Sequence, residues 1–491
     1  MTLQAFDPSF AAAPSPSAPR RCRSLWAFDE REEIVRLAGT PAGRLVLVSL
    51  FAVAAWLASI HPMAVAVAAG FAHLPRYRSW IALGAALSAL IMNPDGRISI
   101  DGIGAILLQE GLDARSASAW GITAAAVVTA CAGWLFVLIR RDKARLVARR
   151  PALSLLGALL ALCAMASLPW PAAPVRAAWW SVVVVFAAFF WFIAYALVDQ
   201  RSRTPAALPF QLGILNPFWG SSATPFGKGA AFLRKHQAKD DVELAVTQLK
   251  GLKLLLWALF LALAAALLDE ALTDRLGIPR PDDLYGAFAR GEPFQLHLAW
   301  AGLAWATLGG TLTLAIWGHE IIAIARLAGF RLPRNTWRPL RSRSLAEFWN
   351  RYYYYFKELM VEFFFMPTFL RSFRQHPRLR VFFATFMAAG VGNAIYHFIR
   401  DIEYVALLGP VQAFEDFASY FLYCFLLAIG IGISQARISA GRQLPVSLLG
   451  MLWSGLCVWG FFICLHVFSD ESRTLSLRER LSFFVTLFGY G

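Results

Sequence analysis

The chain has 491 residues, of which 58% are hydrophobic and only 16% are charged. Soluble globular proteins average about 25% charged residues, so this composition excludes an ordinary soluble domain and indicates a polytopic membrane protein. The formal net charge is +15, which in a soluble protein would suggest nucleic acid as a partner. Here arginine and lysine cluster in loops that flank apolar segments, so we expect a lipid bilayer as the partner and no nucleic acid.

Two parts of the chain are distinguished by composition. Residues 1–43 are interpreted as a cytoplasmic N-terminal tail, in which Leu25 to Leu37 could form a short helix on the membrane surface. Residues 44–491 are interpreted as a single integral-membrane domain.

Apolar segments recur along the whole integral domain and predict an all-α fold. Taking about 20 apolar residues as the length of a spanning helix, and applying that criterion loosely to the first three, we expect about 11 transmembrane helices. The first three segments are short and could be fewer, tilted spans. The predicted segments are 45–60, 61–75, 79–94, 120–140, 151–170, 177–199, 252–270, 296–322, 379–399, 414–435 and 445–467.

Loop charge predicts the orientation of these segments. Loops 140–150, 200–251 and 326–343 are rich in arginine and lysine, whereas 269–295 is richer in acids. Because positive loops stay in the cytoplasm, the first three are predicted inside and the fourth outside, with a cytoplasmic N-terminus. An Ala- and Arg-rich composition fits a bacterial protein, so we expect the bacterial inner (cytoplasmic) membrane.

A polar and aromatic stretch, Ser344 to Pro367, lies in the predicted cytoplasmic or re-entrant region 326–378. Ser344 and Glu347 have the spacing of a capping box, which predicts that a helix begins there. If that helix continues, one stripe of it carries polar side chains that could line a cavity, although an interfacial aromatic belt is the alternative. The stripe consists of Glu347, Arg351, Tyr355, Glu358 and Glu362.

His397 lies in the apolar run from Val381 to Ile399, one helical turn after Asn393. An ionisable side chain at membrane depth is costly, so such residues are read first as functional and here as a general base. The alternative is a hydrogen bond to a neighbouring helix. His319-Glu320 is a second polar pair in an apolar segment, and we expect it to be a hydrogen-bonded anchor.

The order of motifs from residue 318 to 400 resembles the membrane-bound O-acyltransferase (MBOAT) family. Members of that family run from Gly-Phe through Asn, Pro and Ser to Phe-Trp, followed by an apolar segment with a histidine. The matching positions are Gly329-Phe330, Asn335, Pro339, Ser344, Phe348-Trp349, Pro367 and His397.

The resemblance implies that an acyl group moves from a thioester to a hydroxyl through a tunnel that crosses the protein. The donor would be acyl-CoA or an acyl-carrier thioester on the cytoplasmic side, and the acceptor a lipid, glycan or secreted molecule. It implies His397 as general base, with no metal and no tightly bound cofactor. The other implied site residues are Asn350, Asn393 and Tyr353 beside the acceptor or the oxyanion, and Trp349, Arg351 and Lys357 beside the donor.

One position departs from the family. A second His or Asn usually stands five residues after the family's phenylalanine, where this chain has Tyr353. Two hypotheses therefore stay open: an enzyme that uses Tyr353 or Asn350, and a non-enzymatic membrane partner or conduit. An acyl-carrier protein or an accessory subunit is a possible further partner of the protein. Glycosyl transfer through Asp269 and Glu270 ranks lower, because these acids have no distinctive spacing.

Overall fold

The computed structural model describes residues 25–142, 146–469 and 474–490. Most of the predicted N-terminal tail, residues 1–24, lies outside this part of the chain. The described residues are helical, with a lone antiparallel bridge between Gln237 and Phe330. The predicted all-α class is confirmed.

The helices follow in chain order. The first half contains α1 Glu32–Gly39, α2 Pro41–Leu57, α3 Pro62–His73, α4 Arg78–Met92, α5 Ile100–Gln109, α6 Ala117–Arg141, α7 Leu146–Arg149, α8 Pro151–Ala166, α9 Ala173–Gln200, α10 Leu208–Gly213, α11 Ala230–Lys235 and α12 Asp241–Asp269. The second half contains α13 Pro281–Ala289, α14 Leu296–Leu327, α15 Leu345–Tyr352, α16 Tyr354–Met360, α17 Met366–Phe369, α18 Pro377–Phe386, α19 Asn393–Arg400, α20 Glu403–Leu408, α21 Pro410–Asp416, α22 Ala418–Ser439, α23 Leu448–His466 and α24 Leu477–Thr486. Short 3-10 helices cover Leu25–Glu30, Pro75–Tyr77, Pro94–Gly96, Ala114–Ser116 and Pro339–Arg341, and π-helices cover Glu270–Arg275, Val361–Phe365 and Met387–Gly392.

Seven helical segments of the described chain are long and apolar enough to cross a membrane, which makes this a multi-pass membrane protein by length and composition. The number rises to eight if α1 and α2, which meet at a bend of 97°, count as one broken span. The expected number of about 11 is not confirmed. The seven segments are Ala114–Arg141, Ala173–Gln200, Asp241–Arg275, Leu296–Leu327, Pro377–Arg400, Ala418–Ser439 and Leu448–His466.

The remaining predicted segments coincide with helices that are too short, namely α2, α3, α4 and α8. Proline explains where three of them begin, because Pro41, Pro62 and Pro151 each occupy the first turn of a helix. At Ser59 the backbone turns through a left-handed conformation with φ of 56°, which ends the helical path between α2 and α3. The predicted apolar segments are therefore helical, but prolines and turns make these helices shorter than a full span.

The directions of α6 and α9 show that α8 still returns the chain across the bundle. Arg140 near the end of α6 donates to Gln200 at the end of α9, at 2.7 Å. Glu110, just before α6, pairs with Arg176 near the start of α9. The two helices therefore run in the same direction, and α8, about 24 Å long, must lead back between them.

Helix α9 is the centre of the bundle and α23 lies at its edge. Of the apolar part of α9, 78% is buried, against 17% for α23. Such a difference is expected when one helix is surrounded by protein and the other faces lipid.

Two long loops pack together at one end of the bundle and form what we call the loop layer, residues 201–240 and 328–365. Arg331 donates its backbone N–H to the carbonyl of His236 at 2.7 Å, and Ala238 donates to Gly329 at 2.9 Å. Trp219 packs edge-on against Phe330. The loops that charge placed on the same side of the membrane are thus in direct contact.

Candidate active site

The polar stretch begins as a helix where the sequence predicts it. The Ser344 hydroxyl accepts the backbone N–H of Glu347 at 3.1 Å. The reciprocal half of a capping box is missing, because the Glu347 carboxylate accepts the backbone N–H of Arg343 instead. The helix start is therefore stabilised by the Ser344 hydroxyl and by the hydrogen bond between Glu347 and Arg343.

This helix does not continue as predicted. It ends at Tyr352, and Tyr353 has φ of −139° and ψ of 84°, outside the helical region. Asn335 holds the break, because its carbonyl accepts the backbone N–H of Tyr354 at 2.9 Å. Thr336 adds a bond from its hydroxyl to the carbonyl of Tyr352.

The break rotates the side chains after Tyr353 relative to those before it. The prediction that Glu347, Arg351, Tyr355, Glu358 and Glu362 form one continuous polar stripe is therefore wrong. Tyr355 is 1% exposed, and its hydroxyl donates to the carbonyl of Pro333. It packs against Phe226 in the core rather than lining a cavity.

The first half of the stretch is engaged in local contacts. Glu347 accepts from the Arg351 guanidinium, and Arg343 lies 3.6 Å away on the other carboxylate oxygen. Asn350 is exposed. Within the described residues, none of these side chains forms a hydrogen bond or an ion pair with His397.

Lys357 and Glu358 belong to a charge cluster with Lys228. The Glu358 carboxylate accepts from Lys228 Nζ at 2.9 Å, and Lys357 Nζ lies 3.2 Å from its other oxygen. Burial alone would raise the pKa of Glu358, but the two ammonium groups outweigh burial and hold this pKa below its ordinary value. The carboxylate is therefore ionised at neutral pH.

The same cluster explains the Gly-Lys-Gly sequence at 227–229, which resembles a phosphate loop only weakly. Gly227 has φ of 96°, a conformation that favours glycine. A Cβ on Gly229 would lie 2.4 Å from a carboxylate oxygen of Asp199, so only glycine fits there. With Lys228 paired to Glu358, the loop positions a salt bridge.

Glu362 is exposed, on the π-helix Val361–Phe365. Within the described residues it forms no ion pair. This π-helix packs against the π-helix Met387–Gly392, where a Cβ on Gly392 would lie 2.7 Å from the Phe364 ring. Single-turn π-helices are rare and occur frequently at functional sites.

His397 is half-buried and surrounded by aromatic rings. Its ring centroid lies 4.6 Å from Tyr420, 5.0 Å from Tyr396 and 6.1 Å from Phe356. Phe356 also contacts Trp349 at 5.8 Å and Tyr353 at 5.5 Å. Through this one ring, the polar stretch is in contact with the histidine.

Two buried polar atoms at this place have no hydrogen-bond partner among the described residues. They are Nδ1 of His397 and Oδ1 of Asn393, which is 2% exposed. The two residues are one turn apart on α19, so their side chains share a face. Buried polar atoms without partners are uncommon and call for a water or a ligand.

Sequence reasoning missed the loop that approaches this helix. The Thr224 hydroxyl shares a hydrogen bond of 2.8 Å with the Tyr396 hydroxyl, and Ser222 shares one of 3.2 Å with Tyr353. Burial raises the pKa of Tyr353, so its phenol stays protonated at neutral pH. Its hydroxyl can therefore take part in hydrogen bonds but does not act as a phenolate. The feature of the sequence that could have indicated this loop is the run of small residues at 220–224, between Pro217 and Pro225.

Arg97 anchors the same loop from the other side. It donates to the carbonyl of Ser222 at 2.8 Å and to the Asn216 side chain at 3.2 Å, and its guanidinium lies over the Phe192 ring. Burial lowers the pKa of Arg97 to about 9, so it is still protonated at neutral pH. Arg97 was not among the candidates predicted from sequence.

His319 provides a comparison. It is 7% exposed in α14, and its Nδ1 also has no partner among the described residues, so the anchor expected for it is not seen at this atom. It is not among the rings that contact His397.

Two surface grooves in the described part of the chain do not include His397. One, of about 520 Å³, lies between Asp29 and Val242, and the other, of about 390 Å³, lies between Arg378 and Arg437. The described residues contain no cluster of three or more His, Cys, Asp or Glu side chains that could hold a metal ion.

No protein-family model matches this chain, and no curated protein is significantly similar to it.

Proposed function

We propose that this protein is an integral-membrane O-acyltransferase in which His397 is the general base, a divergent relative of the MBOAT family. The observation that carries the proposal is the pair of unsatisfied buried atoms, His397 Nδ1 and Asn393 Oδ1, on one face of α19. One hydroxyl of the acceptor would donate its proton to His397 Nδ1, and a second hydroxyl, as in a glycan or a glycerol-based lipid, would donate to Asn393 Oδ1.

The reaction needs few groups. A ring nitrogen of His397 removes the acceptor's proton as the alcohol oxygen attacks the thioester carbonyl, and a tetrahedral intermediate forms. When that intermediate collapses, the carbon–sulfur bond breaks and the imidazolium returns its proton to the thiolate. Asn393 orients the acceptor, and a donated hydrogen bond from Tyr353 stabilises the oxyanion.

The donor's approach is proposed through the loop layer. Trp349 and Tyr353 are linked to His397 by the Phe356 ring, so an acyl-CoA or acyl-carrier thioester arriving beside Trp349 would meet the histidine from that side. Because these loops are basic, we propose that this layer lies on the cytoplasmic face of a bacterial inner membrane, with a cytoplasmic N-terminus. The acceptor, a lipid, glycan or secreted molecule, would come from the membrane or its other face.

The test compares His397 with a matched histidine. Protein in lipid nanodiscs is incubated with acetyl-CoA or palmitoyl-CoA, and released CoA thiol and acylated lipid are measured. His397→Ala should abolish turnover, whereas His319→Ala, which also removes a buried imidazole with an unpaired Nδ1, should keep most of it. Full activity in folded His397→Ala protein would refute the assignment.

One observation favours the second candidate, a non-enzymatic partner or conduit. The Tyr353 hydroxyl is bonded to Ser222, and Asn350 is exposed, so the usual second polar group of the family is not free beside His397. If the protein binds palmitoyl-CoA yet releases no CoA with any acceptor offered, including membrane extracts, this second function replaces the first.

A further inference from the structure

A shallow groove runs between α18 and α22 at the end of the bundle that carries the loop layer. Ser434 of α22 contacts the loop layer there, because its hydroxyl accepts the backbone N–H of Ala346 at 3.2 Å. The groove has a volume of about 390 Å³. Its lining includes Arg378, Leu379, Phe382, Ile433, Ala436 and Arg437. We call it the Arg378–Arg437 groove.

Both arginines of the groove are exposed, and neither forms an ion pair within the described residues. The sequence offers them no local partner, since there is no Asp or Glu between Glu362 and Asp401, or between Asp416 and Asp470. An unpaired pair of guanidinium groups favours a doubly hydrogen-bonded oxyanion such as a phosphate.

The start of α18 adds to this preference. His376, the residue before α18, makes no side-chain hydrogen bond to the first-turn amides of that helix. Free amides and the helix dipole at an N-terminus attract an anion, and Arg378 lies in this first turn. Amides and arginines thus favour the same kind of ligand at the same place.

The rest of the groove is apolar and lies along the two helices. Leu379 is 44% exposed and Ile433 is 43% exposed. Phe382 packs so closely that a Cβ on Gly432 would lie 2.9 Å from its ring, which closes the floor between the helices. A ligand that fits has a negative head and a hydrocarbon tail.

We propose that the Arg378–Arg437 groove binds one anionic glycerophospholipid of the adjacent leaflet. Its phosphate would lie between the two guanidinium groups at the start of α18, and an acyl chain would lie on Leu379, Phe382 and Ile433. Basic pockets between transmembrane helices bind anionic headgroups in this way. The site is separate from His397 and does not depend on acyl transfer.

A diffuse positive surface is the competing explanation, because any cytoplasmic loop is expected to be basic. The chain offers a matched control in Arg371 and Arg374, which are exposed just before α18 but do not line the groove. Removing either pair changes the net charge equally.

The experiment titrates purified full-length protein in neutral detergent with phosphatidylglycerol and counts bound lipids by native mass spectrometry. We expect one tightly bound lipid. Each arginine near an anionic headgroup is worth about fivefold in affinity, so R378Q/R437Q should weaken the first binding event by about tenfold or more, and R371Q/R374Q by less than about twofold. A436W, which fills the groove without a change of charge, should also weaken binding.

Several outcomes would overturn the proposal. If the two double variants weaken lipid binding equally, diffuse positive charge explains the binding. If A436W binds the lipid as tightly as wild type, the lipid does not lie in the groove. Equal affinity for phosphatidylcholine would remove the anionic preference. Displacement of the lipid by an excess of glycerol 3-phosphate would indicate a site for a free phosphate. An unchanged thermal unfolding midpoint confirms that each variant is folded.

Discussion

The charge cluster of Glu358 with Lys228 and Lys357 predicts a specific loss of stability in Glu358→Gln. The carboxylate is only 20% exposed and has ammonium groups at 2.9 Å and 3.2 Å. A hydrogen bond to a charged group contributes about 1.5–3 kcal/mol net, and losing the acid also leaves two cations facing each other. We expect Glu358→Gln to lower the free energy of unfolding by about 2 kcal/mol at neutral pH.

The same effect must depend on pH in a definite direction. Because the folded pKa of Glu358 lies below its ordinary value of 4.5, its contribution is present above that value and is lost as pH falls through the folded pKa. The stability difference between wild type and Glu358→Gln should therefore be complete at neutral pH and shrink below pH 4.5.

The assay is unfolding in detergent titrated with sodium dodecyl sulfate, followed by tryptophan fluorescence at a series of pH values. Glu292→Gln is the matched control, because Glu292 pairs with Arg290 on an exposed surface and its loss should change stability little. The account of the cluster is wrong if the two variants lose the same free energy of unfolding. It is also wrong if the stability difference between wild type and Glu358→Gln persists at low pH.

Three further predictions concern the first segment of the loop layer, residues 201–240, and each is tested by the same unfolding assay unless stated. Gly213→Val would place a Cβ within 2.5 Å of the Ala82 backbone, so it should cost about 1–3 kcal/mol. Thr224→Val and Tyr396→Phe should show a coupling energy of about 0.6–1.7 kcal/mol in a double-mutant cycle, whereas a value near zero would mean that their hydrogen bond contributes nothing. Arg97→Met should speed amide hydrogen exchange at residues 216–226, since the loop loses two anchoring bonds, and unchanged exchange would contradict this anchoring role.

Sequence reasoning located the apolar segments well because hydrocarbon length is a one-dimensional property of the chain. The number of crossings is harder, since the helix starts at Pro62 and Pro151 and the turn at Ser59 shorten the segments. Loop charge placed 200–251 and 326–343 together, and their contact through His236 and Arg331 agrees with this.

The candidate site was only partly accessible to the same reasoning. Phe356 contacts the rings of Trp349, Tyr353 and His397, and the role of these residues in one site stays a prediction. The break at Tyr353 depends on the hydrogen bond that the backbone N–H of Tyr354 donates to the carbonyl of a loop residue, Asn335, and no local pattern encodes this bond. The helical period assumed for 344–367 therefore placed Tyr355 on the wrong surface, because tertiary contacts overrode local periodicity.

The orientation of His397 depends on the π-helix Met387–Gly392 that precedes it. A π-turn carries one residue more than an α-turn, so every side chain after it is rotated by about 100° relative to an uninterrupted α-helix. Deleting Val391, which is half-buried in this turn, would let the segment continue as an α-helix and turn Tyr396 and His397 away from their present neighbours.

This deletion gives the last prediction. Rotation would break the bond between Tyr396 and Thr224, so adding Tyr396→Phe to the deletion should cause no further loss of stability, although it is costly in the intact chain. CoA release should fall with the deletion as it does with His397→Ala. If Tyr396→Phe causes the same loss of stability after the deletion, α19 keeps its orientation without the extra residue. The π-turn would then not determine the orientation of His397.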